Sequence, residues 1–397
     1  MAAANIVSSL FSIVVFIYLA RALLPEAFGY FSYAFTIAFF LANFIELGLS
    51  TYGTREISLN RARVSEYASE IVSFRLLVSL ILLILVFSVI LLSGHLTPVK
   101  ILILESMVVL FMFAFGLEWA FQGLEKMHMV FISLATTSAL QLGLIYIFIK
   151  SPEDVFRVPM LYLVSALPIA AIFLYRLRFR LMIKIADLKR MFSYLASSLV
   201  IWLISIFAQV YSSLDIFLLG LFRDIAEVGY FTIARRVTGG ATLLMIFLAN
   251  ALLPRLSCTF SKDNALFKEA TGRFLILAMA LTVFVFLPII FLSDYIITLT
   301  VGNDYLPASL PLKIMLIGLV MVLFNLPYST GLIACRFEKN VLKQVSACAA
   351  LSVVLNIILM PRYGMIGASI TFLLVEAMAL VWILWIYNKK IRKEVER

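Results

Sequence analysis

Apolar residues in this chain come in long unbroken blocks. Stretches of about 20 fall at about 2–20, 30–49, 71–93, 101–122, 129–149, 157–176, 193–222, 229–253, 273–293, 310–332, 341–360 and 365–387. That length carries a helix across a hydrocarbon core about 30 Å thick. Continuous runs predict helices, since a barrel strand would alternate with period two. The interruptions hold turn formers: residues 24–26 (LPE), 93–95 (SGH), 151–154 (SPED) and 360–362 (MPR). The first run lacks a basic start and leads directly into Arg21, which does not fit a cleaved signal peptide. The expectation is an all-α integral membrane protein of about twelve transmembrane helices.

Composition strengthens that reading. Of 397 residues, 63% are hydrophobic and only 14% charged, and the mean hydropathy is +1.08. Soluble domains carry roughly a quarter charged residues. Three cysteines, Cys258, Cys335 and Cys348, match neither a metal-ligand spacing nor a disulfide framework, so no metal site is expected. His95 and His128 stand far apart, which argues against imidazole catalysis.

The basic residues set a direction. Loops after even-numbered spans, with the C-terminal tail, hold 23 of the 32 Lys and Arg, and loops after odd-numbered spans hold 7. Basic loops stay in the cytoplasm, so both termini are expected there, in a multi-pass protein of the cell membrane. The net charge of +10 is then mostly a topology signal. A nucleic-acid partner is not expected, because no binding motif accompanies the charge.

Residues 177–192 form the most basic long connector and divide the spans six and six. The expected organisation is an N-terminal six-helix lobe (1–176), a basic cytoplasmic connector (177–192), a C-terminal six-helix lobe (193–387) and a basic cytoplasmic tail (388–397). Residues 28–34 (FGYFSYA) match 228–234 (VGYFTIA), each after an acidic turn. Six is even, so the halves enter from the same side and the repeat is parallel. Two such lobes facing each other would enclose a cavity suited to alternating access.

Ionisable groups inside spans cost about 2.5–3.5 kcal/mol on insertion scales and are candidates for function. Asp215, Arg235 and Arg236 all fall about 10 Å below the outer surface at 1.5 Å per residue. An Asp215–Arg ion pair locking a hairpin is the structural reading. One Asp cannot neutralise two Arg, however, and adjacent helical residues point about 100° apart. The remaining guanidinium offers phosphate oxygens a planar fork of donors. Glu376 lies near the middle of the last span, where it would either pair with Asn325 or Asn356 or carry a proton; Asp215 is a second coupling candidate. Glu46, Arg75 and Glu118 lie near cytoplasmic ends, where snorkelling or mutual pairing is expected. Gln209, Asn43, Gln141 and Asn250 read as interhelical glue, and Gln209, Asn43 and Asn250 also as cavity-lining candidates.

Catalytic motifs are lacking. There is no HExxH, GxSxG or P-loop, so neither hydrolysis of ATP nor a cofactor is expected, and energy would come from an H+ or Na+ gradient, the membrane potential or the substrate gradient.

Several segments resemble a known family. Residues 20–29 (ARALLPEAFG) are similar to the ARxLGPExFG signature of the polysaccharide flippases, the O-antigen and exopolysaccharide transporters. Further similarity lies at 46–49 (ELGL) with Arg55 and Glu56, at 119–126 (WAFQGLEK), at 215–220 (DIFLLG) with 227–230 (EVGY), and at 363–368 (YGMIGA). Leu24 departs from the pattern, standing where the signature has Gly. The resemblance implies the fold of the multidrug and toxic-compound extruders and a flippase for polyprenyl-diphosphate-linked oligosaccharide. It implies work beside polysaccharide-assembly machinery, with Arg235 or Arg236 meeting the diphosphate or acidic sugars. A multidrug antiporter of the same fold, using Asp215 and Glu376, is the first alternative. A membrane-embedded polysaccharide polymerase is the second, and it would need an outer loop richer in acid/base residues than 294–311.

Overall fold

The computed structural model describes residues 2–93, 97–177, 206, 209, 213–260, 264–334 and 338–395. These contain helices and turns and no strand. In chain order they are α1 (Ala2–Glu46), α2 (Leu49–Leu59), α3 (Val64–Leu92), α4 (Pro98–Ser106), α5 (Val108–Phe115), α6 (Glu118–Gly123), α7 (Met127–Phe148) and α8 (Val158–Arg176). The apolar helix Ser213–Phe222 is α9. It is followed by α10 (Ile225–Phe260), α11 (Asn264–Leu281), α12 (Leu287–Phe291), α13 (Ser293–Thr300), α14 (Ser309–Ala334) and α15 (Glu338–Val395).

Among the described residues, eight helical stretches are long and apolar enough to cross a membrane, and the protein is a multi-pass membrane protein. Its outward faces are apolar in the manner of a lipid-facing surface: Leu80, Ile84 and Leu92 of α3 are all more than half exposed. Each expected span except the seventh coincides with described helix; of that one, Ser213–Phe222 and isolated residues before it are described.

Some spans are joined or split where the apolar pattern predicts one helix each. The first two expected spans form the single helix α1, far too long for one crossing at 1.5 Å per residue. It breaks at Leu24 (φ 61°, ψ 168°), directly before Pro25, whose ring removes a donor and restricts the residue ahead of it. The last two spans likewise merge in α15, which breaks at Gly364 (φ 55°, ψ −134°) just past Pro361. The fourth span is divided into α4, α5 and α6, with an extended residue at Gly116. A five-residue π-helical turn at Thr282–Phe286 separates α11 from α12.

The chain divides into two compact units, Met1–Ser213 and Leu214–Arg397. The expected basic connector lies, beyond Leu177, outside the described residues. Within unit 1, α1 packs along α7 and α5, with ring contacts from Tyr18 to Tyr146 of α7 at 5.3 Å and from Phe39 to Phe113 of α5 at 5.6 Å, and Phe35 meets Tyr162 of α8 at 4.8 Å. The turn before α8 is capped as its sequence suggests. Asp154 Oδ2 accepts the backbone N–H groups of Lys150 and Ser151, both at 3.0 Å. Within unit 2, α10 packs on α14, and α14 on α15.

The internal match is visible in burial. Phe28, Phe31 and Ala34 are buried in unit 1, and Val228, Phe231 and Ala234 in unit 2. Tyr30 and Tyr230, at equivalent positions, are both half-buried. The same short pattern thus presents the same helical face to its own unit's core.

Candidate functional site

In unit 2, two of the expected charges meet. Arg235 Nε stands 3.5 Å from Asp215 Oδ2, and the Arg235 guanidinium lies over the Phe372 ring, 5.3 Å from its centroid. Asp215 is only 8% exposed, and its other oxygen, Oδ1, accepts the N–H of Ile216 at 2.8 Å. Arg235 is therefore a structural cation, occupied by a buried carboxylate and an aromatic face. Arg236, one residue on, is exposed. A turn of about 100° per residue explains the difference.

Glu376 is 8% exposed on α15. Asn356 directs its amide to Ser352 Oγ at 3.4 Å rather than to Glu376. Gln209 Nε2 donates to Ser213 Oγ at 3.0 Å, and Asn43 Nδ2 donates to the Phe39 carbonyl at 2.9 Å. These last two amides bond one turn along their own chain. Asn250 lies on α10, with its side chain outside the described residues.

A second constellation, in unit 1, was read from sequence only as end-of-helix charges. Arg75, on α3, is 1% exposed. Its Nη2 donates to Glu46 Oε2 at 2.5 Å and to Ser50 Oγ at 2.8 Å, and its Nη1 to the Gly116 carbonyl at 3.2 Å. The guanidinium also lies 5.9 Å from the Trp119 ring centroid. Glu118, beside Trp119, accepts from Ser133 Oγ at 2.8 Å.

Local structure explains how these groups assemble. Leu47 and Gly48 take left-handed φ values of 44° and 75°, which end α1 and turn the chain into the short helix α2. There α2 packs on α6 at very close range. A Cβ on Gly53 would lie 2.3 Å from the Trp119 ring, and one on Gly123 would lie 2.8 Å from the Thr54 carbonyl. Thr54 Oγ1 also donates to the Trp119 carbonyl at 3.0 Å. The two glycines let the helices touch, and that contact seats Trp119 and Glu118 opposite Arg75.

These side chains line a cavity of about 440 Å³, within the range of roughly 300–1,000 Å³ typical of ligand pockets. Its polar end holds Glu46, Ser50, Arg75, Glu118, Trp119 and Gln122, and the wall given by α8, from Leu163 to Phe173, is apolar. The sequence signal available was Arg75 itself, which stands eleven residues into α3 with no charged neighbour on its C-terminal side up to Leu92.

Among the described residues no cluster of His, Cys, Asp and Glu has the makings of a metal site.

Comparison with known proteins adds the family. The capsular polysaccharide biosynthesis protein CapF of Staphylococcus aureus is 22% identical over 97% of this chain and 97% of its own length. A putative O-antigen transporter of Escherichia coli (strain K12) is 22% identical, covering 96% of this chain and 94% of that one. Among solved structures, the lipid II flippase MurJ in an inward closed conformation superposes with a TM-score of 0.74 at 18% identity, over 97% of this chain and 86% of that one. An inward-facing multidrug resistance MATE family transporter superposes at 0.73 and 16% identity, over 97% and 95%. At such identities the structural likeness establishes the fold, an all-helical MATE-like bundle. The polysaccharide biosynthesis protein family model matches residues 1–260, and the chain belongs to that family.

Proposed function

We propose that this protein is a flippase, carrying a polyprenyl-diphosphate-linked oligosaccharide from the cytoplasmic to the outer leaflet of the cell membrane by alternating access, for cell-surface polysaccharide assembly. The full-length alignment with a relative named as an O-antigen transporter carries the reading. The substrate crosses unchanged, so the protein acts as a transporter and not as an enzyme. Both termini face the cytoplasm, as the loop charges direct. Arg236, the more exposed of the two guanidinium groups, is the one proposed to meet the diphosphate. Asp215 and Glu376 are the groups proposed to couple transport to H+ or Na+.

The test is flipping of a lipid-linked oligosaccharide in reconstituted vesicles. A charge-assisted contact contributes about 1.5–3 kcal/mol, so Arg236→Gln should slow flipping at least about tenfold. An unaltered rate removes Arg236 from the site, and an inactive wild-type protein removes the flippase reading. Likeness to a multidrug transporter fold favours drug export as the second reading. Efflux of an organic cation such as ethidium, driven by an imposed ion gradient, would support it.

A further inference from the structure

The unit 1 cavity contains groups that the protein's own contacts leave incomplete. Arg75 and Trp119, at 1% and 3% exposed, both line it. Arg75 Nε and Trp119 Nε1 are buried donors with no partner among the described residues. Buried donors without an acceptor are rare in folded proteins and point to a group that arrives from outside. That group must bring acceptor oxygens. It must also tolerate carboxylates, because Glu46 and Glu118 line the same cavity and outnumber the single guanidinium.

An anion meets one of these demands and fails the other. Two carboxylates against one Arg leave a formal surplus of one negative charge, which repels a uronate or a phosphate in a low-dielectric pocket. A hydroxyl meets both demands, since it accepts from Nε or Nε1 and donates to a Glu118 oxygen. Glu46 is already engaged by Arg75 and by the Ser50 N–H at 3.0 Å, which leaves Glu118 as the freer carboxylate. The Trp119 ring is packed against Gly53 and under the Arg75 guanidinium, so Trp119 meets the site through Nε1. We propose that this cavity is a saccharide subsite for a neutral or amino-bearing hexose unit, and that Glu118 excludes acidic sugars from it. The inference rests on the flippase reading for the kind of substrate and deepens it by naming the class of sugar.

Fluorescence of Trp119 tests this directly in protein held in nanodiscs. Replacing Trp202, Trp382 and Trp385 with Phe leaves Trp119 as the sole reporter. Titration with the β1,4 disaccharide of N-acetylglucosamine or with glucosamine should give a saturable change, and glucuronate none. Glu118→Gln should weaken the glucosamine response by about tenfold, the scale of one charge-assisted hydrogen bond, and should admit glucuronate. No saturable response to either neutral or amino sugar, an equal response to glucuronate, or indifference to Glu118→Gln each overturns the proposal. The vesicle assay separates the two readings. Flipping without saccharide binding defeats the subsite alone, and binding without flipping defeats the flippase while leaving the subsite.

Discussion

At the scale of single residues, the clearest tension is at Leu24. Its φ of 61° and ψ of 168° lie in a region that is essentially reserved for glycine, where other residues cost of order 1–3 kcal/mol. The related signature has Gly at this position. Leu24 is 44% exposed, so its side chain gives up little burial if removed. We expect Leu24→Gly to stabilise the protein by about 1 kcal/mol, read as a higher midpoint of thermal unfolding in nanodiscs. A lower midpoint would show that the side chain anchors the turn. The departure was visible in the sequence; the strain was not, because it depends on how α1 bends at Pro25. A similar divide runs through the charges. Simple helical arithmetic separated Arg235 from Arg236 and placed Asp215 within reach. The partners of Arg75 could not be found that way, because they come from α1, α2 and the Gly116 turn, at sequence distances of 29, 25 and 41 residues.

At the scale of elements, close approach decides where the polar groups sit. The α2–α6 contact exists because Gly53 and Gly123 carry no side chain. Gly53→Ala would press a methyl group to within 2.3 Å of the Trp119 ring and 2.9 Å of Ile71. Overpacking of that kind typically costs 1–3 kcal/mol. We expect a matching loss of thermal stability and a shifted Trp119 emission. Gly143→Ala on α7 is the control, since nothing lies within 4 Å of its added methyl and alanine is the better helix former by up to about 1 kcal/mol. Equal effects at the two glycines would sink the close-contact account. Unit 2 shows the same principle at its α15 break. Glu227 Oε2 accepts the Met365 N–H at 2.9 Å, and a Cβ on Gly364 would collide with that carboxylate. Arg223 completes the clamp by donating to the Arg362 carbonyl at 2.6 Å. Residues 227–230 and 363–368, noted in the sequence as separate similarities, are two sides of one contact. A motif written along the chain does not reveal which motif it touches.

At the scale of the whole molecule, hydropathy made the helices legible because lipid imposes a length and a backbone rule that a soluble core does not. It placed the gaps between spans where α1 and α15 break, at Leu24 and Gly364, but could not show that helix continues on both sides of each break. Direction is a separate question, on which loop charge makes a prediction, and α7 offers a compact way to test it. Lys126 precedes this helix and Glu153 follows it, and both are exposed. Twenty-two helical residues at 1.5 Å each separate the two ends by about 33 Å, roughly one hydrocarbon thickness. We therefore expect the sites to open to opposite sides of the membrane, with Lys126 on the cytoplasmic side as loop charge predicts. In protein with Cys258, Cys335 and Cys348 changed to Ala, a membrane-impermeant maleimide applied to intact cells should label Glu153→Cys and spare Lys126→Cys. The reverse pattern would invert the protein and turn the proposed flippase around. Labelling of both sites would mean that α7 does not span.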